Sequence, residues 1–215
     1  MEDTLRQGPV GLTVDAATTF RSLPLAAARV VDGFWAQRQR VNRTAAIPAG
    51  LRRLREGGAF RNLRRAAGRG EGQYEGPVFI DSDVYKWLEA AAWEQGREPS
   101  EALAADQGEA TALIAGAQQP DGYLNSFVQV VTGDAARFTD LTSGHELYCA
   151  GHLMQAAVAQ HRATGHRDLL EVAVRFADLL VDTFGPGKRP ELDGHPIVEM
   201  ALVELYRETG ATRYL

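Results

Sequence analysis

The segment from Thr142 to Met154 gathers two histidines, a glutamate, a tyrosine and the single cysteine of this 215-residue chain. His145, Cys149 and His152 fall at i, i+4 and i+7, so on an unbroken helix they share one face. Imidazole and thiolate both ligate zinc at such spacing. The pattern is not His-Glu-x-x-His, because position 149 is cysteine. A competing reading makes Cys149 a small buried residue and His152 a hydrogen-bonded core histidine. No residue is assigned here as a metal ligand or as catalytic.

A second pattern concerns helix mouths. Gly144-His145 and Gly194-His195 each put a histidine just before a helical stretch, and Glu146 and Glu199 follow within the first turns. Carboxylates there complement the helix dipole, and they can also orient an imidazole or accept a ligand hydroxyl. His145, His195, Glu146, Glu199 and Asp83 are the candidate substrate-binding residues. Asp81, Asp83 and Asp121 also stand where helices start or stop, which suits caps and turns.

Helical patterns must position these groups. The spacing predicts helices from Phe34 to Leu54 with a restart at Pro48, and from about Ser82 to Gln95. Others follow over Ser100 to Gln118, Glu146 to Arg162, Asp168 to Thr183 and Pro196 to Glu208. Phe34, Trp35, Arg38 and Val41 share one face of the first. A short strand is expected between Leu23 and Val31, and another extended piece over 127–131, where valines cluster. Residues 1–22 read as a loose N-terminal arm and 23–215 as one domain. The run Ala156–Gly165 aligns with Ala201–Gly210 at an offset of 45 residues, the length of one helical hairpin. Such repeats build an open solenoid or a closed toroid, so the fold class is all-α.

Composition narrows the classes further. A net charge of −5 argues against nucleic acid or an anionic membrane as partner. The arginines at 52, 53, 55, 61, 64 and 65 read as a solvated helix face, with a phosphate patch as the alternative. The glycine-rich stretch from Gly68 to Gly76 lacks a Gly-Lys-Ser/Thr, so it does not read as a nucleotide cradle. One cysteine rules out an internal disulfide, and nothing is apolar for long enough to span a membrane. The expected location is cytoplasmic.

Several motifs occur together in order: Asp32-Gly33-Phe34-Trp35 with Arg38 and Asn42; Asp81-Ser82-Asp83-Val84-Tyr85-Lys86-Trp87-Leu88-Glu89; Gln118 with Asp121-Gly122-Tyr123-Leu124; His145-Glu146-Leu147-Tyr148-Cys149-Ala150-Gly151-His152; and Gly194-His195-Pro196 with Glu199. In this combination, over residues 23–215, the chain resembles the N-terminal half of glycoside hydrolase family 127, the β-L-arabinofuranosidases. The resemblance implies part of an (α/α)6 barrel and retaining hydrolysis of terminal β-L-arabinofuranosides. It also implies a nucleophilic cysteine thiolate held on zinc in the complete domain, with a glutamate acid/base. By the same resemblance His145 and His195 line the sugar subsite. The zinc ligands, nucleophile and acid/base belong to later segments of the family pattern, and Cys149 matches a different position. The chain is therefore expected to be an inactive part-barrel without its own cofactor, prone to self-association through exposed helix faces. The alternative is a non-catalytic helical scaffold or sugar-binding remnant.

Overall fold

The computed structural model describes residues 8–13, 16–25 and 27–215. Eight α-helices form among them: α1 Gly33–Val41, α2 Ile47–Glu56, α3 Ala59–Ala66, α4 Asp81–Arg97, α5 Glu101–Ala117, α6 Glu146–Thr164, α7 Asp168–Thr183 and α8 Ile197–Thr209. No strand is present among the described residues; a lone bridge joins Phe184 and Arg189.

The helices stack in two layers. Helices α2, α4, α6 and α8 pack side by side in that order, and α3, α5 and α7 line up behind them. Helices α4, α6 and α8 of the first row are parallel, as contacts at both ends show, while α2 runs the opposite way, with Arg43 before it reaching Glu94 and Gly50 further along meeting Trp87. Near the helix starts Gly151 meets Ile197 and Val198, and near the ends Gly96 meets Ala163. The core between the layers is aliphatic and alanine-rich, with Leu88, Ile114, Leu153, Met154, Leu169 and Phe176 fully enclosed. Alanines let the helix axes approach while leucines fill the gaps between them.

The internal repeat is a structural repeat. Gly165 and Gly210 both close their helices in the left-handed conformation, at φ 79° and 72°. The preceding threonines behave alike. Thr164 Oγ1 donates to the Gln160 carbonyl and accepts from His166 N–H, while Thr209 Oγ1 donates to the Leu205 carbonyl and accepts from Ala211 N–H. Between the two copies lies a buried charge cluster. Arg162, 1% exposed, pairs with Glu204 at 2.9 Å and Glu208 at 2.8 Å, and Glu204 also takes Arg207. The N-terminal segment is tied to the same place, since Gly11 N–H donates to Glu204 and Arg162 donates to the carbonyls of Gly8 and Pro9.

Several expectations need correction. The stretch 127–131 is helical: Val128–Thr132 is a π-turn. Asn125 explains it, because its side-chain oxygen accepts from Val128 N–H and caps a helical turn that the β-branched valines alone would not favour. The expected strand from 23 to 31 is turn and irregular chain; Ala27 N–H bonds back to the Pro24 carbonyl, and no partner strand exists among the described residues. Ala26, part of that expectation, lies outside the described residues, as do residues 1–7, 14 and 15 of the arm. The restart expected at Pro48 is present: α1 ends at Val41, a π-turn spans Asn42–Ala46, and α2 begins at Ile47 with Pro48 in its first turn, where the missing N–H costs least. Phe34 and Trp35 on α1 are exposed. Asp81 does not cap its own helix; it is buried and accepts from both the N–H and the hydroxyl of Ser126. The basic run is largely paired with acids: Arg55 and Arg64 with Glu109, and Arg61 and Arg65 with Glu75.

The charge cluster makes a stability prediction. Replacing Arg162 by Met leaves Glu204 and Glu208 without their shared enclosed partner, and should cost about 3–5 kcal/mol. Urea denaturation of R162M checks this, and a loss below about 1 kcal/mol contradicts the role assigned to the cluster.

Candidate sugar site at the helix mouths

His145 and His195 are brought together. Their ring centroids lie 5.3 Å apart. The loops carrying them are in contact, since Gly194 N–H donates to the Leu141 carbonyl and a Cβ on Gly194 would stand 2.6 Å from the Thr142 carbonyl oxygen. No side chain fits there, so glycine lets the second corner close on the first. Gly151 plays the matching part on α6: a Cβ would meet Val198 N at 2.9 Å. Its absence lets α8 sit against α6 directly above His152.

Tyr148 is the hub of the cluster. Its ring lies 5.6 Å from His145, 4.6 Å from His152 and 4.9 Å from His195. Tyr148, His152, His195, Glu199 and Met200 line an open hollow of about 520 Å³. Phe79 backs His145 from the other side at 5.1 Å. A larger groove, about 620 Å³, runs between α5 and the C-terminal end of α6, but Gln107, Thr111 and Gln160 are embedded there among alanines. It gathers no comparable set of imidazoles, so the chemistry lies at the helix mouths.

Protonation is set by neighbours. His145 is held in a left-handed backbone conformation, φ 59°, and its Nδ1 faces the Ser143 carbonyl. A carbonyl can only accept, so Nδ1 donates to it, and in the neutral ring Nε2 is then the acceptor. Burial, reinforced by the Lys86 charge, pushes His152 down to about 4, so this imidazole is neutral near pH 7. Asp193 was not anticipated from the sequence. Burial raises its carboxyl, against the pull of the Gly194 and His195 N–H groups and of both imidazoles.

The remaining candidates divide. Glu199 lines the hollow and is exposed. Asp83 is exposed on α4 and is engaged by Lys86 at 3.1 Å. Glu146 does not join the cluster. It turns inward, 2% exposed, accepting from Phe138 N–H and the Tyr123 hydroxyl. The helix that presents His145 outward necessarily sends the next residue the other way. Glu146 thereby clamps Phe138, whose φ of 57° is also left-handed, so the strained corner before α6 is fixed from inside. The metal trio does not form either. Cys149 is enclosed with its thiol toward the Phe79 carbonyl, and burial pushes that thiol up. Among the described residues no three His, Cys, Asp or Glu side chains gather to hold a metal ion, so these residues do not fit a zinc site.

Burial raises the Glu146 carboxyl even though Tyr123 and Phe138 pull it down. The native state thus holds this proton more tightly than the unfolded chain. The associated stability is full below the ordinary carboxylate range and is lost as pH rises through the folded value. Urea melts from pH 4 to 7 should show wild type losing ground to Glu146→Gln across that interval. A constant difference between the two would exclude the effect.

Comparison with known proteins identifies the family. The family model for the β-L-arabinofuranosidase GH127 catalytic domain matches residues 27–215. A non-reducing end β-L-arabinofuranosidase of Bifidobacterium longum subsp. longum is 48% identical over 162 residues, covering 73% of this chain and 25% of that protein. Among solved structures, a GH127 β-L-arabinofuranosidase from Geobacillus stearothermophilus T6 superimposes with a TM-score of 0.84 at 39% identity, over 86% of this chain and 31% of that one. The GH127 β-arabinofuranosidase BT3674 gives 0.81 at 34% identity, over 89% and 32%. The chain thus spans about a quarter to a third of the length of these relatives. Its paired helices are part of the (α/α)6 barrel of these enzymes. Matched along nearly all of its length, this chain belongs to the GH127 β-L-arabinofuranosidase catalytic-domain family.

Proposed function

We propose that this chain forms the sugar-facing wall of a β-L-arabinofuranosidase domain, one that acts with retention on terminal β-L-arabinofuranosides. The observation that carries the reading is the convergence of Tyr148, His152 and His195 on one open hollow with Glu199 at its rim and His145 packed against Tyr148 and His195. A furanoside offers an apolar C–H face and several hydroxyls. The Tyr148 and imidazole rings suit the first, while His145 Nε2 and the Glu199 carboxylate accept from the second. Asp83 supports the site through Lys86 rather than as a direct ligand. A zinc-held thiolate, implied by family resemblance for a complete domain, is not supplied by these described residues. The domain reading is 23–215 with 1–22 as an arm.

The chain has no helix, among its described residues, long and apolar enough to cross a membrane. The single free, enclosed thiol of Cys149 supports a reducing, cytoplasmic setting. Self-association is part of the same reading, supported by exposed Trp35, Leu192 and Met200. Sedimentation velocity between micromolar and hundred-micromolar chain should show a concentration-dependent shift; a single monomer species throughout removes that element.

Ligand-observed NMR with methyl β-L-arabinofuranoside tests the sugar reading. His145→Ala and His195→Ala should each weaken binding about tenfold, the loss of one or two buried hydrogen bonds or stacking contacts. Binding that both variants leave intact sinks the site, and no binding by the wild-type chain favours the helical-scaffold alternative.

A further inference from the structure

Helix α4 sends a cation toward the sugar hollow. Lys86 stands half-buried one turn into the helix, its ammonium 5.4 Å from the centre of the Tyr148 ring and 3.1 Å from Asp83 Oδ1. Asp83 lies three residues earlier on the same helix, so the ion pair is built along one face of α4. Parallel packing of α4 on α6 brings that face opposite Tyr148 and His152. Tyr148 in turn touches three imidazoles, from the α6 mouth, the α6 body and the loop before α8. A ring in contact with three partners on different segments needs something that fixes its plane. A cation within about 6 Å of an aromatic face, anchored by its own carboxylate, does so.

We propose that Lys86 is a positioning residue of the hollow: pinned by Asp83, it holds the Tyr148 ring where that ring meets His145, His152 and His195. The inference rests on the sugar-site reading, which it deepens by naming what sets the hub. It also accounts for an otherwise odd feature of the cluster. His152 keeps Nδ1 buried without a hydrogen-bond partner, which suits a neutral ring beside a fixed positive charge. The charged and titratable groups facing His152 are Lys86 and Asp83 from α4 and His195 from the loop before α8; Tyr148 and Glu199 share its hollow. Burial pulls the Lys86 ammonium down, but Tyr148 and Asp83 outweigh that and leave it raised, so Lys86 is charged wherever the site operates.

The test uses the whole chain with Lys86→Met, Lys86→Arg, Tyr148→Leu and the double variant K86M/Y148L. Histidine-selective NMR should show His152 titrating near 4 in wild type and K86R, and moving upward in K86M. Binding of methyl β-L-arabinofuranoside should weaken about tenfold in K86M and recover to within about threefold in K86R. Because Lys86 acts through the ring, K86M should add nothing further once Tyr148 is already leucine. The proposal is overturned if K86M binds like wild type with His152 unmoved, or if its loss adds in full to that of Y148L. Should wild type bind no sugar, the sugar reading fails by itself. The Tyr148 ring signals then decide: a shift of ring and His152 signals in K86M upholds Lys86 as the positioning group, and no shift overturns it. If K86M does not melt as cooperatively as wild type, Lys86→Gln takes its place under the same readouts.

Discussion

Everything at the helix mouths depends on how closely α8 can lie against α6. Helix axes normally stay 8–10 Å apart because side chains intervene. At Gly151 none does, and the first turn of α8 rests on the α6 backbone. That contact fixes where His195 emerges relative to Tyr148 and His152. A second close approach, Gly194 against the Thr142 carbonyl, fixes the loop itself. Two missing side chains, on different segments, therefore decide whether the imidazoles form one cluster or two separate surfaces.

The opposite end of the same helix pair is held by charge instead of proximity. Arg162 sits between Glu204 and Glu208, and the carbonyls of Gly8 and Pro9 also accept from it. An enclosed guanidinium is tolerable only with such complete pairing, and its demand for geometry restricts how α6 and α8 can slide. The α6–α8 pair is thus packed by glycine at the functional end and registered by an ion cluster at the other. Strain collects at the functional end: Phe138 and His145 are the non-glycine residues in left-handed conformations among those described, and Glu146 holds one of them directly.

The α4–α6 pair supplies the rest of the site. Lys86 and Asp83 come from α4, while Tyr148 and His152 come from α6. Beneath them, Asp81 and Cys149 are sealed in the interior, where burial raises both groups. Nearby positions on one helix therefore serve opposite ends: Glu146 and Cys149 face inward to hold the fold, while Tyr148 and His152 face the hollow. His145 stands before the helix in a left-handed turn and the Cys149 thiol is buried against the Phe79 carbonyl, so a segment dense in reactive side chains gathers no metal centre among the described residues.

The sequence by itself determined the helices other than α3, because apolar spacing, the start at Ser100 and the glycines at 165 and 210 all act locally. It also determined the repeat, whose matching threonines make matching hydrogen bonds. Motif order was enough to point to the family. Local signals misled where a side chain bonded elsewhere: the valines near 128 suggested a strand until Asn125 capped them as a helical turn, and Asp81 looked like a cap until Ser126 claimed it. Only the tertiary structure decided which members of the His145–His152 segment face the hollow, that Glu146 turns away from it, and that Lys86 and Asp193 approach it. Those outcomes depend on the distance between helices far apart in sequence, and no local pattern encodes that distance.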